Sequence, residues 1–254
     1  MSDRNTLAGQ IALITGASGG LGRHFAYLLA NAGASVAACG RAIAKLAETA
    51  AAIEANGGRA VALEMDVTDC ASIARSVAAA EETLGPIDIL VNNSGVSLAK
   101  GATQISEAEY DRIMDTNPKG SFFVATSVAR GMIARGKGGS IINLSSVAAT
   151  RPFDQRSVYC MSKAAISHMT RVLALEWAKY GIRVNELAPG WIGTEVNLPF
   201  FETDLGRAYL QTFLRKRVGE PEHLDAAFML LATPAGDFMT GASIVIDDGY
   251  SLVH

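Results

Sequence analysis

Ile11-Ala12-Leu13-Ile14-Thr15-Gly16-Ala17-Ser18-Gly19-Gly20-Leu21-Gly22 is the stretch from which the rest of the chain can be read. A short apolar run rich in branched side chains breaks into a turn with glycines at 16, 20 and 22, and a helical pattern follows from Leu21 to Asn31. Such a turn lets backbone N–H groups approach a pyrophosphate closely, with the positive end of the helix dipole behind them. The spacing is T-G-x-x-x-G-x-G, one residue longer than the common G-x-G-x-x-G.

Working outward, the same alternation continues. Apolar runs at Ser35 to Cys39, Ala60 to Glu64, Ile87 to Asn92, Ser140 to Leu144, Arg183 to Leu187 and Ser243 to Ile246 read as strands, with Ile11 to Thr15 the first of seven. Helical patterns at Ile43 to Ala55, Ala71 to Thr83 and Val158 to Lys179 occupy three of the six zones between them. Gly33, Gly57, Gly85 and Gly181 fall where a helix would close. The pattern predicts a parallel sheet with helices on both faces.

The chain has 254 residues, and its 22 basic against 25 acidic side chains give a net charge of −3, which excludes a strongly basic nucleic-acid binder. With 49% hydrophobic and 19% charged residues, a large core is available. The N-terminal MSDRNTLAGQ is polar, and no run of about 18 apolar residues occurs, so a cytoplasmic protein without a membrane span is expected. Cys39, Cys70 and Cys160 are widely spaced, and His24, His168, His223 and His254 lack ligand spacing, so neither a disulfide framework nor a metal site is expected. The run Arg215-Lys216-Arg217 reads as a solvated face.

Three residues carry the chemistry: Ser146, then Tyr159 thirteen positions on, then Lys163 four further. Tyr159 and Lys163 lie at i and i+4 on one helix, so both side chains leave the same face. A phenol is a poor proton donor-acceptor at neutral pH, and a neighbouring ammonium favours its phenolate. A tyrosine tuned in this way can protonate a carbonyl oxygen or take the proton back, with the serine hydroxyl on the same oxygen.

Taken together, these motifs resemble the short-chain dehydrogenase/reductase family over essentially the full length. The resemblance implies a single α/β, Rossmann-type doubly wound domain over 1–254, with a seven-stranded parallel sheet. It places Gly16, Ser18, Gly20, Leu21 and Gly22 around a nicotinamide dinucleotide, with Asp66 and Val67 at the adenine. Asn93 and Gly95 come from Asn92-Asn93-Ser94-Gly95, which matches the family's N-N-A-G. Pro189, Gly190, Ile192 and Thr194 match P-G-x-I-x-T beside the nicotinamide ring. Tyr159 and Lys163 serve both catalysis and cofactor. The family's fourth catalytic member is an asparagine whose backbone binds a relay water, and Asn117 matches it. Pro118 follows here, either reinforcing a kink that the relay needs or shifting Asn117.

Three departures stand out. Glu186 replaces a small residue, is either exposed at the strand end or paired, and belongs either to the substrate pocket or to a subunit contact; Asp248 replaces a glycine in V-D-G-G. Gly40 stands where an NAD-selective site carries a carboxylate, and Arg41 is placed to meet a 2′-phosphate, which favours NADP(H) over NAD(H).

The expected activity is NADP(H)-dependent reduction of a ketone or aldehyde. The alternatives are an NAD-dependent alcohol, polyol or sugar-acid dehydrogenase, a 3-oxoacyl reductase, and a cofactor-sensing module without catalysis. The segment from about 189 to 217 reads as a substrate cover, or else as a helical excursion packed on the core. Its aromatic residues Trp191, Phe200, Phe201, Tyr209 and Phe213 favour a small-molecule carbonyl or alcohol substrate of apolar or aryl character. Arg151 and Arg156 are either surface residues or contacts for an acidic substrate group. The family resemblance implies a homodimer or homotetramer.

Overall fold

A computed structural model describes residues 6–195 and 197–253. The strands are β1 (Ile11–Thr15), β2 (Ser35–Gly40), β3 (Arg59–Glu64), β4 (Ile89–Asn92), β5 (Gly139–Leu144), β6 (Ile182–Pro189) and β7 (Ser243–Ile246). They form one parallel sheet in the order β3-β2-β1-β4-β5-β6-β7, the doubly wound arrangement expected from the alternating pattern. The order reverses between β1 and β4, and that switch point is where the carboxyl ends of an open α/β sheet leave a crevice.

Helices α1 (Gly20–Asn31), α2 (Ile43–Ala55), α3 (Cys70–Leu84), α4 (Glu107–Met114), α5 (Gly120–Arg135), α6 (Ser157–Trp177), α7 (Leu198–Phe201), α8 (Asp204–Leu210) and α9 (Asp225–Ala232) fill the six connections. Alternation along β1 shows how the layers are built. Leu13 faces a core shared with α3, α5 and α6, where Val77, Val124, Val128 and Leu173 are buried. Ala12 and Ile14 face the opposite core under α1, α2 and α9. There Phe25 and Phe228 stack with centroids 4.0 Å apart. Each fully buried Leu, Ile or Phe contributes about 1.5–3 kcal/mol, so the two faces together supply most of the driving force for folding.

Strand limits differ from the sequence expectation where polar groups intervene. β4 begins at Ile89 because Asp88 joins the chain ends below the sheet: its Oδ2 accepts from Ile11 N at 3.0 Å and its Oδ1 from Arg135 Nη2 at 2.9 Å. β6 runs on to Pro189 because β7 pairs with it as far as Pro189 opposite Ile246. α6 ends at Trp177, and a 3₁₀ turn leads to Gly181, whose φ of +71° reverses the chain into β6. No helix among the described residues is long and apolar enough to cross a membrane.

Candidate active site

The turn after β1 is shaped by how closely its backbone packs. Gly16 has φ +70°, and a Cβ on Gly22 would stand 2.2 Å from the Gly16 carbonyl oxygen. Only glycine permits α1 to begin this close to the strand. The turn after β4 is fastened to it. Asn93 Nδ2 donates to the carbonyls of Thr15 and Gly16 at 3.0 and 3.3 Å, and the backbone N–H groups of Asn93 and Ser94 both donate to Thr15 Oγ1 at 3.0 Å. Thr15 is thus the hub of the two turns, a role that sequence reasoning missed because a threonine at a strand end carries no spacing signal. Arg23, also missed, donates to the Ser18 carbonyl at 2.5 Å and stands 3.9 Å from Glu195.

At the end of β2, Gly40 is buried and Arg41 is exposed, with no ion pair among the described residues. A Cβ on Gly40 would meet nothing closer than 3.8 Å, so a methyl group fits there. Asp66, beyond β3, accepts from Thr68 N at 2.9 Å and Thr68 Oγ1 at 2.8 Å. These bonds, with a smaller contribution from the Arg41 charge, hold its carboxyl below the usual range. Val67 is buried against Gly120, where a Cβ would come within 2.9 Å of its side chain.

Asn117 lies in a π-turn, Asp115–Lys119, that joins α4 to α5. Pro118 sits inside this turn and lacks the N–H that an α-helix would require, so the wider turn accommodates it. The proline thus sits in a widened turn that keeps Asn117 buried. Its side chain accepts from Val96 N at 2.8 Å and donates to Val96 O and Ser162 Oγ, both at 2.9 Å. Ser162 in turn donates to the Tyr159 carbonyl at 2.8 Å. Asn117 therefore ties the loop after β4 to the helix that carries Tyr159 and Lys163. Gly95 lies over both sites, since a Cβ there would be 3.4 Å from Asn117 Oδ1 and 3.7 Å from Lys163 Nζ.

Lys163 is buried and donates from Nζ to the Leu144 carbonyl at 2.8 Å. Burial brings its ammonium down to about 8, opposed by the negative charge of Glu186. The phenol of Tyr159 departs from the sequence expectation, which had the ammonium pulling it down. Burial dominates and pushes it above the usual tyrosine value, opposed by a hydrogen bond with Ser146 and by the charge of Arg156. Lys163 Nζ stands 5.8 Å from the centre of the phenol ring, close enough to share one pocket with it. A protonated, half-buried phenol beside a hydroxyl and an ammonium is equipped to donate a proton to an oxygen held between them.

The segment after β6 closes over the glycine turn. Gly190 packs on Asp247, where a Cβ would come within 2.7 Å, and its N–H donates to Ile246 O at 2.9 Å. Ile192 bridges to Gly219, and Thr194 N donates to Asn197 Oδ1 at 2.8 Å. The Thr194 side chain stands 3.7 Å from where a Cβ on Gly20 would lie, so the Pro189–Thr194 stretch and the glycine turn face each other. Trp191, Phe201, Tyr209 and Phe213 pack on one another and on Tyr250 with centroid spacings between 4.8 and 6.3 Å. These rings form a satellite core of their own, and Trp191, Phe213 and Tyr250 also line a cavity beside it.

The basic residues near the site divide. Arg151 lies over the Tyr250 ring at 4.0 Å and donates to its carbonyl at 2.6 Å, which commits it to the C-terminal loop. Arg156 donates to Ser97 Oγ at 2.5 Å beside the loop after β4, near enough to Tyr159 for its charge to be felt there. The basic run is not merely solvated: Arg215 and Arg217 bond Asp248 at 2.8 and 2.7 Å. That pairing accompanies a left-handed Asp248, φ +55°, at the position where the resemblance led us to expect glycine.

The model of the short chain dehydrogenase family matches residues 10–204. The chain is 37% identical to an NAD-dependent glycerol dehydrogenase of Listeria innocua, over 96% of this chain and 94% of that one. It is 35% identical to the gluconate 5-dehydrogenase of Gluconobacter oxydans, over 98% of both. The fold superposes with a TM-score of 0.94 on a gluconate 5-dehydrogenase from Burkholderia cenocepacia solved in complex with NADP and tartrate, at 34% identity and 99% coverage of each chain. With glycine turn, paired strand ends and family match in agreement, the chain belongs to the short-chain dehydrogenases, nicotinamide-dependent oxidoreductases that act between an alcohol and its carbonyl.

Proposed function

We propose that the protein interconverts a secondary hydroxyl of a polyol or sugar acid and the corresponding ketone, using NADP(H) in preference to NAD(H). The observation that carries the reading is the convergence of Ser146, the Tyr159 phenol and the buried Lys163 ammonium beside the close-packed glycine turn. When bound, the nicotinamide supplies or accepts the hydride. Tyr159 gives its proton to the carbonyl oxygen in reduction and takes it back in oxidation. Ser146 holds that oxygen by a hydrogen bond. Lys163 holds the nicotinamide ribose and stabilises the phenolate, while Asn117 fixes the loop and helix around the relay. Gly16, Ser18, Gly20, Leu21 and Gly22 cradle the pyrophosphate, with Asp66, Val67, Asn93 and Gly95 toward the adenosine half. Pro189, Gly190, Ile192 and Thr194 border the nicotinamide.

A polar substrate is supported by the similar proteins, which carry polyol and sugar-acid dehydrogenase names. Arg156, at the Ser97 side of the site, is the cation available to a hydroxyl-rich or acidic substrate. We treat 189–217 as the cover of a single-domain enzyme. The exposed Phe122, Phe123, Val172 and Leu175 on α5 and α6 support assembly into a homodimer or homotetramer.

The test is the appearance of reduced-nicotinamide absorbance when NADP⁺ or NAD⁺ is offered with polyols and sugar acids, beside aryl alcohols as the contrasting class. Turnover confined to aryl alcohols would overturn the substrate class. The cofactor preference rests on Gly40 and Arg41. A Cβ fits at Gly40, and the carboxylate of Gly40→Asp would meet the ribose hydroxyls of NAD and repel a 2′-phosphate. The ratio of kcat/KM for NADP over NAD is expected to fall by roughly tenfold to a hundredfold, the worth of one or two charge-assisted hydrogen bonds. An unchanged ratio would remove these residues from cofactor selection.

A further inference from the structure

Glu186 is the buried acid that the reaction, as derived, does not use. It lies on β6 with 2% of its surface exposed, where packing alone would be served by a small apolar side chain. Its Oε1 accepts from Ser167 Oγ at 2.9 Å, and its Oε2 is buried without a protein partner. A carboxylate held in this way is costly to bury, so its retention calls for a charge that benefits from it.

That charge is Lys163. Ser167, which holds the carboxylate, is one helical turn beyond Lys163 on the same face of α6. The Leu144 carbonyl to which Lys163 donates belongs to the residue paired across the sheet with Leu187, next to Glu186. The strands flanking Glu186 present neutral partners in register, Asn143 from β5 and Ser243 from β7. Asn143 is itself engaged with Asn92 and Thr170 at 2.9 Å each. From α6 the facing groups are Ser167 and the ammonium, and Glu186 is the charge that opposes the effect of burial on that ammonium.

We propose that Glu186 is a positioning residue for the reaction, its carboxylate acting through Lys163 as the buried counter-charge that keeps the ammonium protonated over the working pH range. The inference rests on the role given to Lys163 in the proposed function. Lys163 must be charged to stabilise the phenolate of Tyr159, yet burial alone favours its neutral form. The carboxylate restores the balance.

Two readouts test it on the full-length protein. The first is the titration of Lys163 followed by carbon-13 NMR of lysine-labelled enzyme, its resonance assigned from Lys163→Arg. Glu186→Gln removes the charge and is expected to lower the Lys163 midpoint by about one pH unit, the scale on which a neighbouring opposite charge shifts a titration. Glu186→Ala should do the same, and Glu186→Asp should keep the wild-type midpoint to within a fraction of that shift.

The second is the pH profile of kcat/KM for carbonyl reduction. Its alkaline limb should move to lower pH with the lysine, giving about a tenfold loss on the limb and little change at pH values well below it. A midpoint that stays in place in both Glu186→Gln and Glu186→Ala, or a loss of rate uniform across pH, overturns the proposal. Absence of turnover by the wild-type protein with every alcohol would instead count against the functional reading, and the lysine titration would still decide the inference.

Discussion

Tyr159→Phe is expected to lower kcat/KM by a factor of about 10²–10⁴, the usual contribution of one positioned acid-base group, with cofactor affinity nearly unchanged. The substitution keeps the ring that packs in the pocket and deletes the proton that Ser146 and the substrate oxygen share. Initial rates together with cofactor fluorescence titration separate the two effects. Turnover within a few-fold of wild type would remove Tyr159 from the chemistry. The raised phenol also sets a direction in pH. The protonated tyrosine persists through neutrality, so reduction is supported there. Oxidation, which needs the phenolate as base, should accelerate as the pH rises, until Lys163 loses its own proton near 8.

Gly22→Ala is the second large effect. A methyl there would lie 2.2 Å from the Gly16 carbonyl oxygen and 2.5 Å from Asn93 Nδ2, and neither is the free end of a flexible chain. Relief requires α1 to move away from β1, which breaks the Asn93 bonds that join the two turns. A destabilisation of about 1–3 kcal/mol is expected from overpacking. Cofactor affinity should fall at least roughly tenfold, since that is the worth of about 1.4 kcal/mol in lost backbone contacts. The control is Gly19→Ala, whose added methyl meets nothing closer than 3.8 Å at an extended φ of 177°. Thermal unfolding and cofactor titration of both variants check the pair. Equal behaviour of Gly22→Ala and Gly19→Ala would contradict the packing argument.

The parallel sheet was legible because its signal is local: each strand is a short apolar run bounded by turn residues, and α2 follows its periodicity to the residue. The same locality made Tyr159 and Lys163 readable as one face of α6. What the sequence hid depends on contacts between distant segments. Thr15 gained its role from Asn93 and Ser94, far along the chain. The aromatic residues after Pro189 suggested a substrate wall, yet Phe201 and Phe213 bury themselves against Trp191 and Tyr250. Arg151 and Arg156 are alike in sequence and differ in fate, since one lies on the Tyr250 ring and the other reaches Ser97. For Tyr159, the net direction is set by burial, which no spacing reveals and which holds the phenol above its usual value. Asp248 shows the reverse: in place of a glycine it keeps a left-handed backbone, which aspartate tolerates, and it gathers two arginines on its carboxylate.

The central claim is that this site passes hydride between a carbinol carbon and a nicotinamide, with Tyr159 handling the proton. Its most direct test offers polyols and sugar acids deuterated at their carbinol carbons to the wild-type protein and to Tyr159→Phe, with NADP⁺ and NAD⁺, and reads the reduced nicotinamide by NMR. The account expects deuterium at nicotinamide C4 with the wild-type enzyme, and label at or near background with Tyr159→Phe. Cofactor that binds tightly yet acquires no label from any of these alcohols, or equal labelling by the two proteins, would contradict it.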